Sequence, residues 1–261
     1  MTLRKKIKTG HPLIGPWCTI PTPSLIGVAS SAGMNFVILD MEHGCHSYET
    51  IDLMLRYAEA SGCYTIVRVA QNDESTILKA LDLGVNGIII PHMESKEDVE
   101  KAIQFSKYIP IGNRGYSPYT RAGGYDLNLN HCEKQNEEIA TIIILEGIKG
   151  IQNIDSMLSI PNLEKAVDAI YVGAYDLSQA LGVPGEIKNT KVVEAFDLIR
   201  KKVSDKGIQV AGYVAKNKED IKWMLERGIK LVTILPDCSI FKNAYLKYKN
   251  DFDSILSEVA L

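Results

Sequence analysis

Three segments of this chain follow one plan. Ala32-Gly33-Met34-Asn35-Phe36-Val37-Ile38-Leu39, Leu83-Gly84-Val85-Asn86-Gly87-Ile88-Ile89-Ile90 and Arg227-Gly228-Ile229-Lys230-Leu231-Val232-Thr233-Ile234 each pass from a helix stop through a glycine and a short turn into an apolar strand. Glycine just past a helix accepts the left-handed turn that ends it, so each copy marks a helix handing over to a buried strand. Five more runs read as strands: Leu13 to Ile20, Tyr64 to Val69, a run ending at Glu146, a run from Ile170 ending at Asp176, and Gln209 to Tyr213. Eight strands alternating with helices in 261 residues predict one (β/α)8 barrel domain over 1–261, with its active site at the C-terminal strand ends. A doubly wound open sheet is the structural runner-up.

The intervening stretches carry helix signals. Residues 24–32 follow the turn at Pro21 to Pro23, and Ser47 is the expected N-cap of a helix over 48–60 whose Ile51, Met54, Leu55 and Ala58 share a face. Asn72-Asp73 opens a helix with Ile77, Leu78 and Leu81 inward, and Ser95 to Asp98 resembles a capping box with Asp in place of Glu or Gln. Further helices are expected near 131–139, around Val192, Phe196, Ile199 and Val203, after Asn217, and as a closing helix over about 237–259. The stretch from Ile109 to about Asn130 is too long and glycine-rich for an ordinary connection and is a candidate binding loop carrying Arg114 and Arg121.

Composition removes several function classes. Net charge is −3 and the basic residues are scattered, so no footprint for nucleic acid is present. No run reaches the roughly 18 apolar residues of a membrane span, and the basic N-terminus leads into Gly10, His11 and Pro12 where a secretory signal would place an apolar core. Cys18, Cys45, Cys63, Cys132 and Cys238 are odd in number and lack a C-x-x-C, so a reduced cytoplasmic protein is expected.

In a barrel, Asp40, Glu42, His43, Arg68, Glu146 and Asp176 share one mouth. Glu146 and Asp176 end successive strands and could share a hard divalent cation such as Mg²⁺ or Mn²⁺; the plainer alternative is that they cap the helices that follow. Arg68 suits a substrate carboxylate or enolate, or neutralises neighbouring acids. His43 is a general base tuned by Asp40 or Glu42, a ligand, or a structural histidine. A zinc cluster of His43, Cys45 and His46 lacks the second ligand pair a structural site needs. Asp82 stands near the C-terminus of its helix, away from its own mouth, and is either plain surface or serves a neighbouring subunit.

Asp40-Met41-Glu42-His43, Val67-Arg68 with Asn72-Asp73, Asp82-Leu83-Gly84 before Ile88-Ile89-Ile90-Pro91, Gly112-Asn113-Arg114-Gly115, Glu146, and Gly173-Ala174-Tyr175-Asp176-Leu177-Ser178, in this order, resemble the HpcH/HpaI family of metal-dependent class II pyruvate aldolases, which includes 4-hydroxy-2-oxoheptanedioate and 2-keto-3-deoxy-sugar-acid aldolases. The resemblance runs from about Pro12 to about Phe241 and implies a (β/α)8 barrel assembled as a homo-oligomer, a hexamer built from trimers, with the final helix exchanged between neighbours. It implies that Glu146 and Asp176 hold Mg²⁺, Mn²⁺ or Co²⁺, which chelates an oxo-acid substrate, cleaved to pyruvate and an aldehyde through the metal-bound enolate. Arg68 then steadies the enolate, amides around Gly173, Ala174 and Tyr175 take the carboxylate, His43 manages the proton, Asp40 orients it, and Asp82 reaches an adjacent subunit's site. No motif strand ends in lysine, which argues against a Schiff-base mechanism. Two departures stand out: Ile144 where many members have Gln, and Gly-Ala-Tyr-Asp in place of Gly-Pro-x-Asp, which puts the large Tyr175 at the mouth. Alternatives are a citrate-synthase-like or other oxaloacetate-using enzyme of the same fold, and a non-catalytic barrel that binds a small acid.

Overall fold

The computed structural model describes residues 1–259; the last two positions of the expected 1–261 domain lie outside the described residues. The first half contains α1 (Leu3–Lys8), β1 (Leu13–Cys18), α2 (Ser24–Ser31), β2 (Phe36–Asp40), α3 (Tyr48–Ser61), β3 (Tyr64–Arg68), α4 (Glu74–Asp82), β4 (Gly87–Ile90) and α5 (Lys96–Ser106). The second contains α6 (His131–Glu138), β5 (Ala140–Leu145), α7 (Ile148–Gln152), α8 (Ile154–Leu158), α9 (Leu163–Ala166), β6 (Ala169–Val172) and α10 (Ala174–Ala180). It ends with α11 (Thr190–Ser204), β7 (Gln209–Gly212), α12 (Lys218–Glu226), β8 (Leu231–Ile234) and α13 (Asp237–Val259). All paired strands are parallel, in the order β7-β6-β5-β4-β3-β2-β1-β8.

The remaining seam, between β7 and β8, closes differently from the others. Its backbone contacts include the parallel bridge between Ala215 and Ile234, with Ala215 N donating to Thr233 O at 2.9 Å and Leu235 N to Ala215 O at 3.3 Å. Side chains complete it: the Tyr171 hydroxyl donates to Tyr213 O at 2.9 Å and lies 2.9 Å from Thr233 Oγ1. The fold is therefore a (β/α)8 barrel.

Local signals act where the sequence puts them. Ser47, Asp73 and Asn217 cap α3, α4 and α12 through side-chain oxygens, and Ser95 with Asp98 forms a reciprocal capping box on α5. Gly33, Gly84 and Gly228, the glycines of the repeated plan, all adopt positive φ. Helix α3 buries Ile51, Met54, Leu55 and Ala58, each of the larger three stabilising by about 1.5–3 kcal/mol.

Strand alternation divides the core in two. Val37, Leu39, Val67, Ile88, Ile90 and Ile143 face the helices, whereas Phe36, Ile38, Ile66, Ile89, Ala140, Ile142, Ile144, Ala169 and Tyr171 fill the barrel. Asp40 continues the inward set Phe36-Ile38, Arg68 continues Ile66, and Glu146 continues Ile142-Ile144. The polar residues are the next layer of the same ladders, where apolar filling gives way to chemistry.

Several elements differ from expectation. The basic N-terminus forms α1, which inserts Leu3 and Ile7 into the inner core, and Arg4 Nε meets the buried Asp168 at 2.8 Å. The sixth strand stops at Val172, so Ala174, Tyr175 and Asp176 form the first turn of α10. Three short helices, α7 to α9, occupy the span between β5 and β6. Helix α13 does form over the expected range; among its described residues only Asp237 is buried, and Tyr245, Tyr248, Phe252, Ile255 and Val259 are exposed. No helix among the described residues is long and apolar enough to cross a membrane.

Candidate active site

At the C-terminal strand ends lies a cavity of about 420 Å³ lined by Trp17, Asp40, His43, Arg68, Ile144, Glu146, Tyr171, Gly173 to Asp176, and an apolar edge of Val214, Leu235 and Pro236. Strand register builds it. Asp40 of β2 pairs directly with Arg68 of β3, and because Leu145 pairs with Val172, Glu146 stands beside Gly173. A Cβ on Gly173 would lie 2.8 Å from Glu146 Cβ and 2.9 Å from its Oε2, so glycine is what admits the glutamate.

Arg68 is held from three sides. Its Nε donates to Asp40 Oδ1 at 2.8 Å and its Nη2 to Oδ2 at 2.6 Å, while Nη1 lies 3.0 Å from Glu42 Oε2. The Trp17 ring sits 4.7 Å from the guanidinium carbon. Burial alone would raise Asp40, but Arg68 and the amides of His43 and Glu42 outweigh it and hold the carboxyl below its usual range. Burial would likewise weaken the Arg68 charge, and Asp40, Glu42 and Glu146 restore it. Asp40 takes two of the five guanidinium N–H groups, so donors remain for a bound anion.

Asp40 also organises the loop beyond β2, accepting from Glu42 N at 3.1 Å and His43 N at 3.3 Å. This locates His43 through its backbone; no hydrogen bond among the described residues joins its imidazole to Asp40 or Glu42, so the tuning expected from those carboxylates is not a direct contact. His43 is exposed at the cavity wall. His46 turns away, its Nε2 2.9 Å from Cys18 O, which makes it a structural histidine and removes the zinc-cluster alternative.

Glu146 is the buried acid of the site. Burial, then repulsion from Glu42 and Asp176, raises its carboxyl above the usual range against the opposing effect of His92. Asp176, in the first turn of α10, has no hydrogen bond or ion pair among the described residues. The amides of Ala174 and Tyr175 are unsatisfied helix-start donors, whereas the Gly173 amide is taken by Leu145 O at 2.9 Å.

Two carboxylates on one cavity wall, one raised mainly by burial and further by its acidic neighbours and one without a partner, are a hard oxygen donor set that suits a divalent cation. Among the described residues no group of three or more His, Cys, Asp or Glu forms a metal cluster; a two-carboxylate site leaves the other positions to substrate and water. No lysine lines the cavity.

The remaining expected residues lie elsewhere. Asp82 is outside the cavity and accepts from Arg114 Nη2 at 2.7 Å, with the Arg114 guanidinium stacked on Tyr108. Arg121 donates to Leu83 O and Glu59. The 109–130 loop thus spends both arginines on the far ends of α3 and α4 and does not cover its own mouth.

Sequence reasoning missed Trp17 and His92. His92 follows β4 with φ +63°, its amide donates to Glu146 Oε1 at 3.0 Å, and its ring lies between Glu146 and Glu42. The signal was available, because Ile90-Pro91-His92 ends the fourth strand as Asp40 ends the second.

Residues 13–244 match the model of the family described as HpcH/HpaI aldolase/citrate lyase. The 5-keto-4-deoxy-D-glucarate aldolase of Escherichia coli O6:H1 is 30% identical over 239 residues, covering 92% of this chain and 91% of the relative. Among solved structures, the HpcH/HpaI aldolase of Desulfitobacterium hafniense DCB-2 superposes with TM-score 0.89 at 26% identity, covering 97% and 96% of the two chains. Citrate synthase SbnG gives TM-score 0.85 at 30% identity, covering 97% and 98%.

Proposed function

This chain belongs to the HpcH/HpaI aldolase/citrate lyase family and is a carbon–carbon lyase; from that premise we propose that it is a divalent-metal-dependent class II aldolase cleaving a 4-hydroxy-2-oxo acid to pyruvate and an aldehyde. The observation that carries this is the buried Glu146 together with Asp176 on the wall of a cavity that also holds Arg68 and contains no lysine.

Glu146 and Asp176 would hold the cation, which supplies a Lewis acid at the substrate's 2-oxo group. The first-turn amides of Ala174 and Tyr175 bind the carboxylate, and the free N–H groups of Arg68 face the oxygen on which negative charge grows. His43 accepts the proton of the 4-hydroxyl. The C3–C4 bond then breaks, its electron pair passing to the pyruvate enolate while the hydroxyl oxygen becomes the aldehyde carbonyl. A proton delivered to C3 completes pyruvate. Burial of Asp40 and Trp17 around Arg68 fixes that charge before substrate arrives.

A sugar-acid substrate is favoured by the relative named 5-keto-4-deoxy-D-glucarate aldolase; the likeness to citrate synthase SbnG favours an oxaloacetate-using reaction as the second reading. Pyruvate release from 5-keto-4-deoxy-D-glucarate and 4-hydroxy-2-oxoheptanedioate, with Mn²⁺ and after EDTA treatment, tests the first. Thiol release from acetyl-CoA with oxaloacetate, and no pyruvate from either oxo acid, would replace it with the second.

The protein is proposed to act as a homo-oligomer. Helix α13 carries Tyr245, Tyr248, Phe252, Ile255 and Val259 exposed at three- and four-residue spacing, continuing the part-buried Phe241, as an exchanged helix requires. Assembly would also let Asp82, held by Arg114, face a neighbouring subunit's mouth.

A further inference from the structure

His92 occupies a backbone conformation that glycine would adopt freely, φ +63° immediately after Pro91. Packing does not account for the side chain, which is 58% exposed. Its polar contacts are specific. Nδ1 lies 2.9 Å from Glu146 Oε1 and Nε2 lies 3.0 Å from Glu42 Oε1, distances of ion-pair contact although neither is in line for a hydrogen bond. The His92 amide adds a hydrogen bond to the same Glu146 Oε1 at 3.0 Å.

The other oxygen of Glu146 is treated differently. No donor among the described residues reaches Oε2, which lies over Gly173, so close that a Cβ there would stand 2.9 Å away. Gly173 opens the helix whose first turn carries Asp176. One carboxylate oxygen is thus held, and the other is left free on the Asp176 side.

We propose that the imidazole of His92 is a positioning group for the metal-binding carboxylate: by holding Oε1 of Glu146 against Glu42, it keeps Oε2 turned toward Asp176 for a divalent cation. The ring also links the two halves of the site, because Glu42 contacts Arg68 and Arg68 is held by Asp40. Groups that fix a ligating side chain alter metal affinity by about 10–100-fold when removed. The inference rests on the metal-dependent function proposed above.

The test is Mn²⁺ binding to the full chain, read from the electron paramagnetic resonance of free Mn²⁺. Wild type is expected to bind and Glu146→Gln to lose binding. His92→Gly keeps the backbone conformation and the amide bond but removes the ring, and is expected to bind at least about tenfold more weakly with an unchanged melting temperature. Added imidazole should recover part of that loss. His92→Asn, which also tolerates the left-handed backbone but is too short to span both carboxylates, serves as the second variant and should be weakened as much. Wild-type affinity in both variants, beside loss in Glu146→Gln, overturns the role of His92 and leaves the metal-dependent function standing. No Mn²⁺ binding by wild type overturns that function and this inference together.

Discussion

A depressed lysine is the usual mark of Schiff-base chemistry, and this chain has one in the wrong place. Lys107 is 1% exposed, its Nζ donates to Ile139 O at 3.0 Å, and no carboxylate lies within ion-pair distance among the described residues. Burial is the dominant cause that pulls it from 10.5 down to about 7; Asp168 opposes this, and Arg4, Lys8 and Arg114 reinforce it. Ile139 precedes β5, so the amine lies at the opposite end of the barrel from Glu146. The unfolded chain therefore binds a proton that the folded chain lacks between pH 7 and 10.5, and stability contributed by this group rises with pH across that window. At about 1.4 kcal/mol per pH unit the penalty at neutral and acidic pH is on the order of 5 kcal/mol. Lys107→Met removes the titration and forfeits one hydrogen bond worth about 1 kcal/mol. The variant should thus exceed wild type by roughly 3–4 kcal/mol in urea unfolding at pH 6, the advantage vanishing by about pH 10, while the pyruvate-release rate is unchanged. A stability difference that is flat with pH would refute the electrostatic account. Loss of activity in the folded variant would refute the class II assignment.

Gly173→Ala should lower kcat/KM by about 100-fold, the cost of displacing a catalytic ligand by about 1 Å, and destabilise the fold by about 1–3 kcal/mol through overpacking, because its Cβ would stand 2.8 Å from Glu146 Cβ. Asp40→Asn removes the bidentate carboxylate from the buried guanidinium, leaving Glu42 as its ion-pair partner, and should cost about 3 kcal/mol at pH 7 in urea unfolding. Because the Asp40 carboxyl is held below its usual range, its contribution is complete above about pH 4 and is lost as pH falls through the lower folded value, so wild type and variant should converge in acid. Tyr175→Ala, at the exposed edge of the cavity, should change KM for the substrate and the range of aldehydes accepted in the condensation direction, while pyruvate proton exchange stays within about twofold of wild type.

The repeated glycine plan made the barrel legible because helix stop and strand start are local events, and all three glycines carry the positive φ that plan requires. Asp40, Arg68 and Glu146 were legible as polar residues at the C-terminal ends of apolar strands. Asp176 was found at the right mouth on the wrong element: the strand's apolar run continues by eye through Ala174 and Tyr175, but Val172 is the last residue with a ladder partner. His92 was missed because its role depends on a left-handed backbone and on Glu42 and Glu146, neighbours remote in sequence. The 109–130 loop has the composition of a substrate loop, yet Asp82, Leu83 and Glu59 claim its arginines, and only tertiary structure reveals such partners. The helix-forming pattern of α13 was equally plain, while the core its apolar stripe joins is not legible from the stripe itself; the exchange between neighbours came only from the family resemblance.

Hydrogen–deuterium exchange of the pyruvate methyl group, followed by proton NMR with and without Mn²⁺ on wild type and Glu146→Gln, tests enolate formation at this site most directly. Exchange by wild type that requires Mn²⁺ and disappears in Glu146→Gln is the predicted result. Exchange that persists without added metal or in Glu146→Gln, or wild type that does not exchange with Mn²⁺ present, would contradict it.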